Sequence, residues 1–483
     1  MIRVLSHRLS GLTLRGSAAL LCLALSACAV GPDYQRPAID VGVGYKEGQE
    51  QVPGWKPAHP RDDAQRGQWW TVYGDPVLDG LMRQLNTANQ DVAVAEANYR
   101  QAQALVQGAR AGFFPTIGAS AGVTRSGGGS GGAGTGGSSV GNQYSLTGTV
   151  SWEADVWGRL RRGLEASRAS AQASAADLAA TRLSSQAALA QNYFQLRVQD
   201  EQKRLLEATI AAYERSLRLT SNRYDAGVAG RSDVAVATSQ LENARAQSVD
   251  LDWQRGQLEH AIAVLTGQPP SRFSLPSQPF TQQLPEIPVG LPSELLERRP
   301  DVASAERRAA AANAQIGVAQ SAWFPDLTLS ANGGFRNGSF ADWLTAPARF
   351  WSLGPSLALT LFDGGARDAQ VDQARAAYDA QAASYRQSVL TALREVEDYL
   401  VQLRVLGQEQ QVQARALEAS RESLRLIRNQ YEQGMVDFLD VATLQTTALS
   451  AERSALSLVG SRLVASVQLI AALGGGWEGL PKE

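Results

Sequence analysis

Cysteine is almost absent: Cys22 and Cys28 are the only two in 483 residues. Histidine is as scarce, with His7, His59 and His260 far apart, and neither HExxH nor CxxC occurs. The spacings of a zinc site or a thiol redox centre are therefore missing. His59 and His260 read as structural or solvated side chains. Neither sign of charge dominates: 45 Lys plus Arg against 47 Asp plus Glu leave a net charge of −2. That balance gives no electrostatic footprint for nucleic acid as a partner. Proline is missing from 158–268 and again from 356–480. Near the N-terminus, the apolar run Ala18 to Leu25 is too short to cross a bilayer as a helix.

What is present begins with that run. Arg3, Arg8 and Arg15 precede it, and together they read as a secretory signal peptide over residues 1–27. Leu25-Ser26-Ala27-Cys28 has the form of a lipobox, in which the Cys28 thiol carries diacylglycerol and, after cleavage, an N-acyl chain. The alternative is an ordinary signal peptide with a chance cysteine. Cys22 leaves with the signal, so one cysteine remains and no internal disulfide is possible. A chain of this length can be held by packing alone.

The chain is duplicated. Asp91-Val92-Ala93 with Glu96 returns as Asp301-Val302-Ala303 with Glu306, and Phe114-Pro115 returns as Phe324-Pro325. Gln195-Leu196-Arg197-Val198 recurs as Gln402-Leu403-Arg404-Val405, and Asn222, Tyr224, Gly227 and Asp233 recur as Asn429, Tyr431, Gly434 and Asp440. The resulting division is a lipidated, extended N-terminal and equatorial segment over 28–68, a first repeat over 69–268, a Pro-rich linker over 269–292 and a second repeat over 293–477.

Each repeat reads helix, strand, loop, strand, long helix, tight turn, helix. Proline-free, Ala- and Gln-rich stretches at 86–112 and 301–322 predict helices that stop at Phe-Pro. Strict apolar–polar alternation then predicts strands at about 115–124, 144–155, 325–334 and 351–362. Leu146, Gly148, Val150 and Trp152 alternate with Ser145, Thr147, Thr149 and Ser151, for example. Strands of this length and period suit a transmembrane β-barrel, with a half-wet soluble sandwich as the alternative. The Gly-rich stretch 126–141 reads as an exposed loop, and Trp152, Trp157, Trp343 and Trp351 as candidates for an interfacial belt. Trp69 and Trp70 are expected to pack in the equatorial part instead.

The proline-free stretches predict long helices. Gly158 to Tyr224 as one helix reaches ~100 Å at ~1.5 Å per residue. A 4-3 apolar spacing runs from Tyr385 through Val389, Ala392, Val396, Tyr399, Leu403 and Leu406, then by Gln410 and Gln413 to Leu417, Leu424, Ile427 and Tyr431. It is a heptad seam, and Ile210, Tyr213, Leu217, Thr220 and Tyr224 repeat its end. Four strands cannot close a barrel, and open edges are not tolerated in lipid, so the pore must be shared. Two chains give eight strands and a filled interior; three give twelve and a lumen. The fold expected is thus long coiled-coil helices plus a four-strand contribution to a trimeric, twelve-stranded transmembrane β-barrel.

Three motifs add a family resemblance. Cys28 through Pro37 (Cys-Ala-Val-Gly-Pro-Asp-Tyr-Gln-Arg-Pro) resembles the opening of outer-membrane factor lipoproteins, the TolC/NodT family, in the subgroup serving resistance–nodulation–division efflux. Arg298-Arg299-Pro300-Asp301-Val302 resembles that family's second-repeat start, and Ala472-Leu473-Gly474-Gly475-Gly476-Trp477 its C-terminal signature. The resemblance implies no enzyme and no cofactor beyond the acyl chains on Cys28. It implies a homotrimeric, lipid-anchored channel of a Gram-negative bacterium, with its twelve-stranded β-barrel in the outer membrane and a long α-helical coiled-coil barrel extending into the periplasm. That channel passively conducts small toxic compounds or drugs. Its implied partners are outer-membrane lipid, a periplasmic membrane-fusion adaptor and an inner-membrane resistance–nodulation–division transporter. A duct for secreted protein and a coiled-coil envelope tether are the competing readings.

The turns Tyr224-Asp225-Ala226-Gly227-Val228 and Tyr431-Glu432-Gln433-Gly434-Met435 place glycine where a helix hairpin needs φ > 0. By resemblance they form a periplasmic gate. Leu439 matches a constricting leucine, and Asp233, Asp437 and Asp440 are candidate ring acids, while Thr443 stands where some relatives carry a second acid. In three-fold symmetry a carboxylate ring favours cations and an apolar ring blocks by dewetting. Asp233 and Asp440 also suit an N-cap or first-turn dipole role. Arg223, Arg231 and Arg428 are the arginines near enough to lock such a tip.

Overall fold

A computed structural model of the chain describes residues 29–39, 41, 44–47, 68–128, 139–279, 284–285 and 299–476. The signal segment, Cys28, His59, the centre of the Gly-rich loop, most of the second half of the linker, Arg298 and Trp477 lie outside the described residues. Helices α1 (Pro76–Ala88) and α2 (Gln90–Ala111) lead into strands β1 (Thr116–Gly128) and β2 (Ser139–Glu153). Then come α3 (Arg159–Asp225) and α4 (Arg231–Leu265). The second copy supplies α5 (Pro300–Ser321), β3 (Asp326–Asn337), β4 (Arg349–Ala358), α6 (Ala366–Glu432) and α7 (Phe438–Ala472). Both long helices have 67 residues and both that follow have 35, with the second pair starting and ending 207 residues after the first.

The alternation in the sequence becomes a two-faced sheet because the register keeps the parity of all four strands. The strand order is β1-β2-β3-β4, all neighbours antiparallel. One rung joins Ile117, Val150, Ala331 and Leu353; the rung beside it joins Gly118, Thr149, Asn332 and Ser352. A slip of one residue would mix the faces. The strands run further toward the loop end than alternation indicates, β2 starting at Ser139 and β1 continuing to Gly128. There Gly and Ser replace the alternating pattern but still pair. In the other direction β4 stops at Ala358 and begins at Arg349, two residues before the expected start.

Aromatic side chains mark both ends of the apolar face. At the loop end Tyr144 packs on Phe340, with ring centroids 5.3 Å apart, and Phe340 stacks on Trp343 at 6.2 Å. At the helix end Trp152 donates to the Phe113 carbonyl at 2.9 Å, and Trp157 donates to the Pro325 carbonyl at 2.9 Å while stacking on Phe324 at 4.7 Å. An amphipathic indole with its N–H satisfied suits a membrane interface. Trp351, two residues into β4 on the apolar face, is 82 % exposed.

A strap of residues 29–38 lies beside α3 and α5 in the same compact unit as the sheet. The Val30 amide donates to the Trp157 carbonyl at 3.0 Å. The buried Arg162 guanidinium donates to the Val30 and Gly31 carbonyls and to Asp33, the last at 2.8 Å. Asn313 donates to the Pro32 carbonyl at 2.9 Å, and the Tyr34 hydroxyl donates to Glu306 at 2.7 Å. Close approach is possible because glycine faces glycine. Gly31, at φ +102°, lies directly on the Gly317 backbone, where a Cβ would collide.

The other unit holds the largest apolar cluster, around Trp69, Trp70, Tyr73, Leu78, Met82, Leu85, Tyr193, Phe194, Ile262 and Val467. Asp75 fixes the first helix against it: one carboxylate oxygen caps Val77 and Leu78, and the other accepts from the Tyr193 hydroxyl at 2.6 Å. Pro76 at N1 has no N–H to satisfy. The expected helix at 86–112 is broken at Asn89, whose side chain caps Val92 at 3.0 Å and donates to the Leu265 carbonyl at 2.8 Å. Arg299 joins the start of α5 to α6 and to the end of α7, through Asp301 at 2.6 Å, Glu395 at 2.8 Å and the Ala472 carbonyl at 3.2 Å. Helix α7 is apolar and long enough by composition to cross a membrane. Part of its apolar surface packs inside the protein, with Phe438, Leu463, Val467 and Leu469 at most 1 % exposed.

The heptad seam of α6 is buried from Tyr385 to Leu403 apart from half-buried Tyr399, and half-buried from Leu406 through Ile427, ending in buried Tyr431. In α3 the seam ends one step early. Thr220 is fully buried, whereas Tyr224 is 44 % exposed and not a seam residue. The two copies part here because Tyr431 takes the place between the hairpins, leaving Tyr224 to solvent.

Candidate gate at the two helical turns

Both long hairpins close with the same backbone motif. Gly227 has φ 73° and Gly434 φ 77°, in the left-handed region that glycine enters without a Cβ penalty. The Val228 amide donates to the Arg223 carbonyl at 2.8 Å and Gly227 to Tyr224 at 2.8 Å. Met435 donates to the Gln430 carbonyl at 3.0 Å and Gly434 to Tyr431 at 3.0 Å. These paired bonds consume the carbonyls a helix C-terminus would leave orphaned. Reversal of each helix is thus set by one glycine in each repeat.

The hairpins are joined to each other through Tyr431. Its ring is 5 % exposed and meets Phe438 edge-on at 5.6 Å, within a cluster that includes Ala237, Val441 and Ala442. Arg223, at the end of the first long helix, donates to the Tyr431 carbonyl at 2.9 Å and lies 4.6 Å over its ring. The Tyr431 and Thr220 hydroxyls are 3.2 Å apart. Further along, Gln240 donates to the Ala442 carbonyl at 2.7 Å. Arg223 is the arginine that links the turns, and it does so through a carbonyl and a ring. Arg231 and Arg428 make no ion pair among the described residues.

The candidate acids occupy three different positions. The Asp233 carboxylate accepts from the Gly230 amide at 3.2 Å, satisfying the N–H of the N-cap residue at the start of α4. Asp437 holds the N-cap position of α7, but its side chain accepts no capping bond, and Asp440 lies in the first turn. Both are exposed. Leu439, between them, is 59 % exposed although its neighbours Phe438 and Val441 are buried. Thr443 shares its face and donates back to the Leu439 carbonyl at 2.9 Å. Val228 and Met435 at the turn apices are 67 % and 63 % exposed. Asp437, Leu439 and Asp440 therefore face away from the protomer's own packing, while Asp233 is engaged locally.

Sequence patterning missed the Arg223–Tyr431 contact, which depends on two positions 208 residues apart. The one available signal was the departure from internal symmetry: Arg223 is matched by Gln430, not by arginine. It also missed Asp75, although Asp75-Pro76 is a cap followed by a proline at N1 and was legible as a helix start. Among the described residues no group of three His, Cys, Asp or Glu side chains is placed to hold a metal ion.

Comparison with known proteins follows the two copies. The model of the outer membrane efflux protein family matches residues 81–268 and again 291–475. The probable efflux pump outer membrane protein TtgC of Pseudomonas putida is 30 % identical over 464 residues, covering 95 % of each chain. The pyoverdine export outer membrane protein OpmQ of Pseudomonas aeruginosa is 33 % identical over 417 residues, 85 % of this chain and 88 % of OpmQ. Among solved structures, the outer-membrane channel OprN superposes with a TM-score of 0.84 at 33 % identity, over 93 % of this chain and all of that one.

Proposed function

This chain belongs to the outer membrane efflux protein family, and from that premise we propose that three copies form one gated export duct. It is a transport protein of the Gram-negative outer membrane, the channel component of an efflux pump, with the mostly helical fold of TolC-like channels. The observation that carries the trimer is the sheet. Its four strands leave β1 and β4 as open edges, and its rungs sort into one apolar and one small, polar face. Open edges in lipid leave backbone groups unsatisfied at several kcal/mol each, so neighbouring copies must supply the missing pairs. Twelve strands then put the apolar face toward lipid and the polar face around a lumen.

In this reading residues 28–68, 69–268, 269–292 and 293–477 serve as anchor and equatorial segment, first repeat, linker and second repeat. Cys28 carries the acyl chains, and the strap that follows it holds them beside Trp157. The turns form the periplasmic tip, where Leu439, Asp437 and Asp440 become rings about the three-fold axis. The Arg223–Tyr431 contact holds the hairpins closed until a periplasmic adaptor engages them. An inner-membrane transporter supplies the energy, and the cargo is small toxic compounds, in keeping with the efflux and pyoverdine-export roles in the names of TtgC and OpmQ.

The test is assembly. Native mass spectrometry of the detergent-extracted protein gives three protein chains, each with the mass of a triacylated N-terminus at Cys28. A monomer or dimer in mild detergent contradicts the shared barrel, and an unacylated trimer contradicts the anchor alone.

A further inference from the structure

The polar face of the sheet has one departure from small residues, and its consequence rests on the barrel reading above. Among the described strand residues of that face, Arg336 is the one cation and Phe350 the one aromatic. The others are Gly, Ala, Ser, Thr, Asn and Gln, with Glu153 and Asp326 at the helix end. The Arg336 guanidinium lies 4.7 Å from the centre of the Phe350 ring. It makes no hydrogen bond or ion pair among the described residues. The local backbone explains the pair. Gly334 is the direct partner of Phe350, and a Cβ on Gly334 would collide with the Leu146 carbonyl. No side chain can stand at 334, so the ring and the guanidinium next along the strand meet across an unfilled rung.

Position gives the pair its meaning. Ten residues of β3 separate Asp326 from Arg336, about 33 Å at ~3.3 Å per residue. At the helix end Glu153 is already paired with Arg159, whose Nε donates at 3.0 Å. Glu153 and Asp326 are the acids among the described strand residues of that face, and both lie at the end opposite Arg336. Three-fold symmetry then places three guanidiniums and three phenyl rings around the outer mouth. Each guanidinium keeps its N–H edges free while one face rests on a ring, a geometry that binds oxyanions in the plane and apolar surface beside it.

We infer that Arg336 and Phe350 of the three subunits form an outer constriction that binds organic anions, sulfonates or carboxylates on an aromatic body. The ring favours anionic cargo leaving the duct and opposes cationic compounds entering from outside. Binding is independent of the tip, because the site opens to the exterior.

The probe is pyrene tetrasulfonate, titrated by fluorescence anisotropy against the purified acylated trimer. The expected result is one probe bound per trimer, weakened about tenfold or more by Arg336→Gln through loss of charge-assisted bonds and less by Phe350→Leu. Arg349→Gln, at the same end of the sheet but on the apolar face, leaves binding unchanged. Equal binding by Arg336→Gln, or loss with Arg349→Gln, overturns the constriction. Failure of the barrel reading shows separately, in intact cells treated with a membrane-impermeant maleimide. Arg336→Cys reacts and Leu353→Cys does not if the faces are lumen and lipid; the reverse pattern removes the barrel reading and the constriction with it.

Discussion

At the scale of single residues, the tip depends on one arginine acting through a backbone carbonyl and an aromatic face. Removing it leaves the Tyr431 carbonyl without its charged donor, at a cost of about 1–2 kcal/mol. Arg223→Ala is expected to raise hydrogen exchange at the Gly434 and Met435 amides about tenfold, by the constant that equates ~1.4 kcal/mol with a decade. Arg231→Ala, close by and unpaired, leaves exchange unchanged. The tyrosines give a prediction with a definite sign. Burial, then the hydrogen bond to Asp75, pushes the Tyr193 hydroxyl well above its ordinary value, and burial does the same for Tyr73. The unfolded chain thus loses these protons first, so stability is fully present below pH ~10 and falls as pH rises further. Denaturant titrations at pH 8 and pH 11 measure this, and Tyr193→Phe shrinks the difference. Residue roles of this kind were the least legible in the sequence. Asp233 and Asp440 read alike as N-cap or first-turn acids, yet only Asp233 accepts a capping bond, and the N-cap position of α7 is held by Asp437.

At the scale of elements, the sequence was far more explicit. Proline placement located the first long helix to within a residue, and heptad spacing found the second from Tyr385 to its end but not its start at Ala366, since one proline would break either helix and one skipped seam residue would expose an apolar side chain. Strand parity was equally legible, because a period of two needs no knowledge of the partner. What patterning could not supply was length: β1 and β2 continue through Gly and Ser that carry no alternation. Nor could it find the strap, whose fit depends on Gly31 meeting Gly317 across 286 positions. Gly31→Ala combines a positive φ with a backbone collision, and a Cβ on Gly317 would stand 2.8 Å from the Arg162 side chain and 2.9 Å from the Val30 carbonyl. Either Gly31→Ala or Gly317→Val is expected to release the strap, read as faster hydrogen exchange at the Val30 amide, which otherwise donates to the Trp157 carbonyl. The strands and helices remain, seen as unchanged circular dichroism.

At the scale of the whole molecule, duplication lets one chain build a four-stranded sheet and two helical hairpins from a single plan. The family was readable from three short motifs and the repeat, and the match of the family model to both copies agrees with that reading. The divergences between copies then carry the specialisation. Tyr431 is buried where Tyr224 is exposed, and the aromatic loop around Phe340 and Trp343 stands where the first copy has glycine and serine. Such differences are invisible to a repeat search and follow from packing between copies. The central claim is a passive duct closed at its hairpin tips, and conductance tests it most directly. Purified trimers in planar bilayers are compared as wild type, Arg223→Ala and Leu439→Ala. The account predicts small, brief currents from the wild type and conductance increased severalfold in both variants, since one loses the contact between hairpins and the other an apolar ring. Assembled trimers that carry no current in any of the three would contradict the duct itself.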